Sequence, residues 1–122
     1  MARLNVLFVC SRNQWRSPTA ERIYRNDDRM SVRSRGVSSQ AKRRLSAEDV
    51  KWADLIFVME NKHRSRIASR HRELLEQVEL HVLDVPDDYR YMDPELIDLL
   101  QERVEQGLAT MLGDRNNRGQ GN

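Results

Sequence analysis

The sequence contains almost no cysteine. Cys10 is the single thiol among 122 residues. An intrachain disulfide needs two thiols and a cysteine-rich metal site needs several, so both are excluded, and with them a disulfide-stabilised secreted scaffold. The three histidines, at positions 63, 71 and 81, have no metal-ligand spacing either. We therefore expect a cytoplasmic protein that binds no metal and whose free thiol stays reduced.

Long hydrophobic runs and a strong excess of one charge are also missing. The apolar run at residues 4–9 is too short for a membrane span or a signal peptide, so no membrane partner is expected. Lys and Arg number 21 against 19 Asp and Glu, for a net charge of +2. Nucleic-acid-binding domains carry clustered basic residues, so we expect no nucleic-acid partner.

Short apolar runs alternate with stretches of helical periodicity. Strands are predicted at residues 3–9, 31–34, 54–59 and 79–83. Helices are predicted over residues 17–27, after Ser46, over residues 61–76 and from Pro94 onward. Strands separated by helices indicate βαβ units in a parallel α/β sheet, whose ligands bind beyond the carboxyl ends of the strands.

The chain length fits one domain, which we place at residues 1–112. Residues 113–122 are rich in Gly, Asn and Arg and are expected to form a flexible tail. The first helix carries a start signal, with Ser17 predicted as its N-cap and Pro18 at its first position.

One segment, between the first predicted strand and the first predicted helix, contains candidate catalytic residues. It consists of a cysteine, five residues, an arginine and a serine, Cys10-Ser11-Arg12-Asn13-Gln14-Trp15-Arg16-Ser17. Backbone N–H groups of such a loop, together with the positive end of the following helix, form an anion cradle. Arg16 can donate two hydrogen bonds to one phosphate, and the same field favours the nucleophilic thiolate of Cys10. Ser17 is placed to hydrogen-bond the sulfur as a leaving group.

The sequence resembles the low-molecular-weight protein tyrosine phosphatase family, and looks like a shortened member of it. The resemblance runs from residue 4 to about residue 110, and the first stretch is the most specific. The matching stretches are Val6-Leu7-Phe8-Val9-Cys10, Asn13, Arg16-Ser17-Pro18, Ala20-Glu21, Ser34-Arg35-Gly36, residues 53–59 and Asp84-Val85-Pro86-Asp87.

The resemblance implies a three-layer sandwich, in which helices flank a four-stranded parallel sheet. It implies hydrolysis of a phosphomonoester through a cysteinyl-phosphate, without a cofactor. Asp87 matches the family's general acid and Tyr89 the aromatic that walls the pocket, although Asp88 stands where the family has proline. Asp88 stays an alternative acid, and Asp93, before Pro94, a more distant one.

Further residues match family positions that support the loop. Asn13 matches the asparagine that holds the loop in a strained shape, and Ser34 a serine that supports the loop from below. Ser11, Arg12, Gln14 and Trp15 complete the expected phosphate-binding loop.

The sequence also departs from the family. Arg12 replaces a glycine, Gln14 replaces an apolar residue or threonine, and Trp15 stands where many members have a second cysteine. The segment between Ser34 and Leu45 is short, which predicts an open pocket wall and weak or relaxed activity on aryl phosphates.

The predicted ligands are a phosphotyrosine protein or a small aryl phosphate, with phosphate or vanadate as inhibitors. The alternative is a phosphate- or phosphoprotein-binding module with little catalysis. Arsenate reductase, which shares the scaffold, fits less well because its thioredoxin-coupled form needs additional cysteines.

Overall fold

The computed structural model describes the backbone of residues 3–119 and the side chains of residues 3–111. Within this part of the chain, four strands alternate with four helices. The strands are β1 (Leu4–Cys10), β2 (Met30–Gly36), β3 (Leu55–Val58) and β4 (Glu79–Val82). The helices are α1 (Arg16–Tyr24), α2 (Ala47–Trp52), α3 (Asn61–Leu75) and α4 (Pro94–Gly119).

The strands form one parallel sheet in the order β2-β1-β3-β4. β1 pairs with β2 from Leu4 to Cys10, and with β3 from Val6 to Val9. The chain thus places β2 on one side of β1 and the remaining strands on the other. Ligand-binding crevices of parallel sheets open where the strand order reverses, beyond the carboxyl ends of the strands. Cys10, the last residue of β1, lies at that place.

Two apolar clusters cover the two faces of the sheet. Successive side chains of a strand point to opposite faces. Val6, Phe8 and Cys10 accordingly belong to the larger core cluster, which includes α1 and α4. Leu7 and Val9 belong to the smaller core cluster, which includes α2 and α3. The predicted three-layer α/β sandwich with a four-stranded parallel sheet is confirmed.

The predicted start of the first helix is wrong by two residues. α1 begins at Arg16, and Trp15 occupies the N-cap position without a capping side-chain hydrogen bond. Ser17 does not cap the helix, because its hydroxyl faces the Cys10 sulfur. The serine cap predicted at residue 46 is present, and Ser46 and Asp49 form a reciprocal capping box at the start of α2.

The C-terminal end of α4 extends to Gly119, whereas the sequence predicts a flexible tail from residue 113. Residues 120–122 of that tail lie outside the described residues, and the division into a domain and a tail stays a prediction. Among the described helices, none is both long enough and apolar enough to cross a membrane.

Candidate active site

The segment that joins β1 to α1 forms a loop at the carboxyl edge of the sheet. Its outer carbonyls are fixed by the neighbouring segment 37–45, since Ser11 O accepts from Ser38 N at 2.9 Å and Arg12 O from Lys42 N at 3.0 Å. Within the described residues, the backbone N–H groups of residues 11–15 donate to no protein acceptor. The loop therefore keeps a row of donors available for an anion.

The Cys10 sulfur lies inside a polar network. Cys10 is 3% exposed, and its Sγ lies 2.9 Å from Ser17 Oγ. Asn13 Nδ2 donates to the same Ser17 oxygen at 3.0 Å. Since Asn13 occupies an acceptor position of that hydroxyl, the hydroxyl hydrogen can point at the sulfur or at the Arg35 carbonyl, which lies 3.4 Å away. Ser17 is therefore placed to donate to a thiolate, and its role in catalysis stays a prediction.

Asn13 is the residue that gives the loop its shape. It is buried and adopts a left-handed backbone conformation with φ 54°. Its side chain donates to Ser34 Oγ at 3.0 Å and accepts from Arg43 Nε at 3.0 Å. Arg43 also reaches Glu21 and Ser34, each at 2.8 Å. The strained backbone is thus held by a buried side-chain network that includes Ser34 below the loop.

Arg16 points into the protein and divides its donors between two tasks. It is 2% exposed, and its Nη1 donates to Glu60 Oε1 at 2.5 Å and to the Val85 carbonyl at 2.8 Å. A guanidinium has five N–H donors, so those on Nε and Nη2 can still form a bidentate pair with an oxyanion. Glu60 and Val85 therefore fix the orientation of Arg16 through Nη1 alone.

Glu60 and His63 connect the end of β3 to the loop. The His63 ring is buried, its Nδ1 accepts from the Glu60 backbone N–H at 3.0 Å, and its Nε2 lies 2.9 Å from Ser11 Oγ. Burial, with the nearby Arg16 charge, lowers the pKa of His63 to about 4. The neutral ring can therefore donate from Nε2 to Ser11. The Arg16 guanidinium lowers the pKa of Glu60 although partial burial opposes this shift, so Glu60 is a carboxylate at neutral pH.

Three aspartates were candidates for the general acid, and the structure places one of them in the cleft. Asp87 lines the cleft over Cys10, and its Oδ1 lies 3.6 Å from Arg16 Nε. The loop that carries it is anchored by Val85, whose N–H donates to Met59 O at 2.8 Å. Asp88 is exposed and outside the lining of this cleft. Asp93 accepts from Glu95 N at 2.9 Å, as expected for an ordinary helix start.

The cleft itself has a volume of about 290 Å³. Its lining combines the loop with one aspartate: Cys10, Ser11, Arg12, Gln14, Trp15, Arg16 and Asp87. Arg12 contributes a cation at the rim, where it also donates to Gln40 at 3.3 Å.

The aromatic side chain in this cleft is Trp15, which is 37% exposed. Tyr89, predicted as the pocket wall, is partly buried and packs against the larger core cluster instead. Tyr89 is not among the residues that line this cleft, and its role as a pocket wall stays a prediction. Burying the ring against apolar side chains removes more of its surface from water than a position at the cleft rim would.

Sequence reasoning missed three residues of this site. Glu60 follows the carboxyl end of β3, and a position at or beyond a strand end is the signal that also marks Cys10 in β1 and Asp87 after β4. His63 lies three residues later on α3 and carried no separate signal. Arg43 lies in the basic run at residues 42–44, and no local pattern shows that it reaches Asn13.

No group of three or more histidine, cysteine or carboxylate side chains that could hold a metal ion occurs among the side chains that the structure describes. The loop and its arginine instead form a site whose chemistry suits an oxyanion.

No protein-family model matches the sequence, and no curated protein matches it significantly. Solved structures do match. The chain has the fold of the low-molecular-weight protein tyrosine phosphatases. One such structure is SP-PTP, the low-molecular-weight protein tyrosine phosphatase from Streptococcus pyogenes, with 19% identity, a TM-score of 0.71, and coverage of 88% of this chain and 92% of that one.

Two other solved structures show the same fold with different printed activities. The tyrosine phosphatase Wzb from Escherichia coli K30, in complex with phosphate, has 20% identity and a TM-score of 0.70, and the match covers 89% of this chain and 99% of Wzb. The YwlE arginine phosphatase from Geobacillus stearothermophilus has 22% identity and a TM-score of 0.65, and the match covers 91% and 96% of the two chains. The predicted resemblance is therefore confirmed at the level of this phosphatase fold.

Proposed function

We propose that this protein is a cysteine-dependent phosphomonoester hydrolase that resembles protein tyrosine phosphatases and acts through a cysteinyl-phosphate. The observation that carries the proposal is the Cys10 sulfur held 2.9 Å from Ser17, in a cleft that it shares with Arg16 and Asp87. A nucleophile, an anion clamp and an acid in one cleft are the groups that this reaction needs.

In the first step, the Cys10 thiolate attacks phosphorus while the bond from phosphorus to the leaving oxygen breaks. Asp87, protonated, gives its proton to that oxygen, and the alcohol or phenol departs. Arg16 and the loop N–H groups hold the phosphoryl oxygens, whose charge they stabilise throughout the transfer.

In the second step, a water molecule attacks the phosphorus of the cysteinyl-phosphate. The Asp87 carboxylate accepts a proton from this water, and the bond between sulfur and phosphorus breaks. Inorganic phosphate forms and the thiolate is regenerated, with the Ser17 hydroxyl donating to it. The two steps together consume only the phosphomonoester and one water molecule.

Trp15 supports an aryl phosphate as the substrate class, either phosphotyrosine in a protein or a small aryl ester. Its ring lines the cleft and offers a face against which a second aromatic ring can stack. Inorganic phosphate or vanadate should inhibit by occupying the same donors. A cytoplasmic location and independence from cofactors are part of this proposal.

The test is hydrolysis of p-nitrophenyl phosphate at mildly acidic pH by the wild-type chain and by Cys10→Ser. The wild-type protein should turn over, and the substitution should abolish turnover because a hydroxyl at this position is a far weaker nucleophile. Both proteins should keep the same unfolding temperature within about 2 °C, which shows that the loop still folds. Activity that survives in Cys10→Ser would refute the covalent mechanism.

A binding module without useful catalysis would give a different result. Neither protein would hydrolyse the ester, while phosphate or vanadate would still bind to both. The exposure of Asp87, at 54% of its side chain, and the absence of the family's proline after it are the features that favour this second candidate.

A further inference from the structure

A groove continues from the Cys10 cleft along α1. The cleft shares Gln14 and Trp15 with a neighbouring depression of about 350 Å³. That depression shares Pro18, Arg43 and Tyr91 with a further one of about 510 Å³. Because successive depressions share walls, they form one path, which we call the α1 groove and which ends at Arg22 and Arg25.

The α1 groove is strongly cationic. The far depression is lined by four arginines, Arg3, Arg22, Arg25 and Arg43, against one carboxylate, Glu21. Glu21 is already paired with Arg43 at 2.8 Å. Within the described residues, the remaining three arginines form no ion pair, and all three are exposed. The protein as a whole is almost neutral, at +2, so this charge is a local concentration.

Two exposed aromatic side chains flank the groove. Trp15 is 37% exposed and Tyr91 is 49% exposed, and they are the exposed large hydrophobic residues of the described chain. An extended chain in the groove would contact these rings near the cleft and reach the arginines farther out. Aromatic and arginine side chains are the groups that contribute most to protein-protein recognition.

We infer that the α1 groove binds an acidic segment of a phosphoprotein substrate, next to the phosphorylated residue held over Cys10. This inference rests on the proposed function, because the cleft must receive the phosphoryl group. Asp and Glu side chains of the segment pair with Arg3, Arg22 and Arg25, and Lys42 adds a cation midway.

The length of α1 sets how far the acidic residues of the substrate lie from its phosphorylated residue. A rise of 1.5 Å per residue places Arg22 roughly 9 Å and Arg25 roughly 13 Å along the axis from Arg16. An extended peptide advances about 3.3 Å per residue. The acidic positions therefore lie about three or four residues from the phosphorylated one.

A protein segment fits this geometry better than a nucleic acid does. A phosphomonoester in a nucleic acid occurs at a chain end, whereas a phosphorylated side chain branches from a backbone that continues to either side. The groove extends from the cleft past Trp15, so it suits a chain whose backbone runs across the cleft mouth.

The experiment compares kcat/KM within two pairs of phosphotyrosine peptides. The peptides of a pair differ only at three positions, three to five residues from the phosphotyrosine, which are acidic in one peptide and alanine in the other. One pair carries them on the N-terminal side and another pair on the C-terminal side. Wild-type protein should favour the acidic peptide of one pair by about tenfold at low salt, and 0.5 M NaCl should remove most of this preference.

The variant Arg22→Glu/Arg25→Glu should lose the preference while its kcat/KM for p-nitrophenyl phosphate stays within twofold. Lys51→Glu/Arg72→Glu is the matched control, because it changes the net charge equally on exposed positions of α2 and α3, across the sheet. It should keep the preference. Arg22→Gln/Arg25→Gln gives an intermediate loss and avoids a carboxylate near the C-terminal end of α1.

A binding measurement separates this inference from the proposed function. Cys10→Ser should bind a fluorescent acidic phosphopeptide more tightly than its alanine analogue, and the double arginine variant should remove the difference, even if no variant hydrolyses any ester. Equal kcat/KM for acidic and neutral peptides, with turnover of p-nitrophenyl phosphate intact, would overturn the inference about the α1 groove and leave the proposed function standing. Tighter, arginine-dependent binding of a 5′-phosphorylated single-stranded oligonucleotide than of the acidic peptide would overturn it too.

Discussion

Arg16 and its partners illustrate how single residues decide what the cleft can do. Nη1 is used by Glu60 and Val85, and this leaves Nε and Nη2 for a ligand. The interaction with Glu60 orients the guanidinium, but it also places a negative charge next to the site where a phosphate would bind. Glu60 therefore improves the orientation of the Arg16 guanidinium but weakens the binding of an anion.

Replacing Glu60 by glutamine should tighten anion binding. The amide oxygen can still accept from Arg16, but the negative charge that repels phosphate is gone. We expect inorganic phosphate and vanadate to inhibit at about three- to tenfold lower concentration. Inhibition constants against p-nitrophenyl phosphate measure this, and Glu48→Gln, at an exposed carboxylate on α2, serves as the control. Unchanged or weaker inhibition would show that Glu60 acts only through orientation.

Substitution of the aspartates should identify the general acid. Asp87→Asn should lower kcat on phenyl phosphate by about 10²–10⁴-fold, because the leaving oxygen no longer receives a proton. The loss should be smaller on p-nitrophenyl phosphate, whose leaving group departs more easily. Asp88→Asn should stay within about twofold on both esters, since Asp88 lies outside the cleft lining. A larger loss in Asp88→Asn than in Asp87→Asn would reverse the assignment.

The segment 37–45 has the clearest role at the scale of structural elements. The short segment between Ser34 and Leu45 predicts an open pocket wall, and this stays a prediction. In the structure, residues 37–45 pack against the outside of the loop. They donate to the carbonyls of Ser11 and Arg12 and supply Arg43 to Asn13. The close approach depends on Gly36, where a Cβ would lie 2.6 Å from Ser11 O and 2.6 Å from Ala41 Cβ.

Gly36→Ala should therefore damage both stability and activity. We expect a loss of about 1–3 kcal/mol in the free energy of unfolding, because Ser11 and Ala41 must move apart. Urea unfolding measures this loss, and turnover of p-nitrophenyl phosphate should fall because Ser11 belongs to the loop. Adding Ala41→Gly removes one of the two close contacts but not the one with Ser11 O. Full recovery of activity in that double variant would show that the loop does not depend on this contact.

At the scale of the whole molecule, His63 couples the site to global stability. Its ring is buried beneath the loop between Ser11 and the start of α3, close to Arg16, Glu60 and Lys62. Because the native state keeps the pKa of His63 near 4, an unfolded chain binds a proton at a pH where the folded chain does not. The unfolded state is then favoured as pH falls.

The free energy of unfolding should decrease as pH is lowered from about 6.5 to about 4, by roughly 3 kcal/mol from His63 alone. His63→Gln should lack this part of the decrease, even if it is less stable at neutral pH. Urea unfolding of both proteins at several pH values measures the difference, in which the other titrating groups cancel. The lowered pKa of Glu60 acts in the same direction, but only below about pH 4.5. If the free energy of unfolding fell equally with pH in both proteins, His63 would not be the source of this pH dependence.

Local patterns were sufficient to predict the elements of the fold. Residues 6–10 of β1 and all of β3 are buried, and strands that are buried on both faces lie in the interior of a parallel sheet. The helix boundaries were less predictable at α1, where Ser17 has a tertiary partner that outweighs its capping preference.

The sequence by itself determined the parallel sheet, and it placed the loop between Cys10 and Ser17 at the carboxyl edge of that sheet, because these follow from burial periodicity and strand direction. The choice of Asp87 came from the resemblance to the phosphatase family. Only the tertiary structure decided which aspartate enters the cleft, that Glu60 and His63 join the site, that Arg43 holds Asn13, and that Tyr89 packs against the core. The polar contacts among them join residues from 30 to 71 positions apart along the chain, and their geometry depends on how loops from separate strands pack together. Local sequence patterns contain no information on that packing.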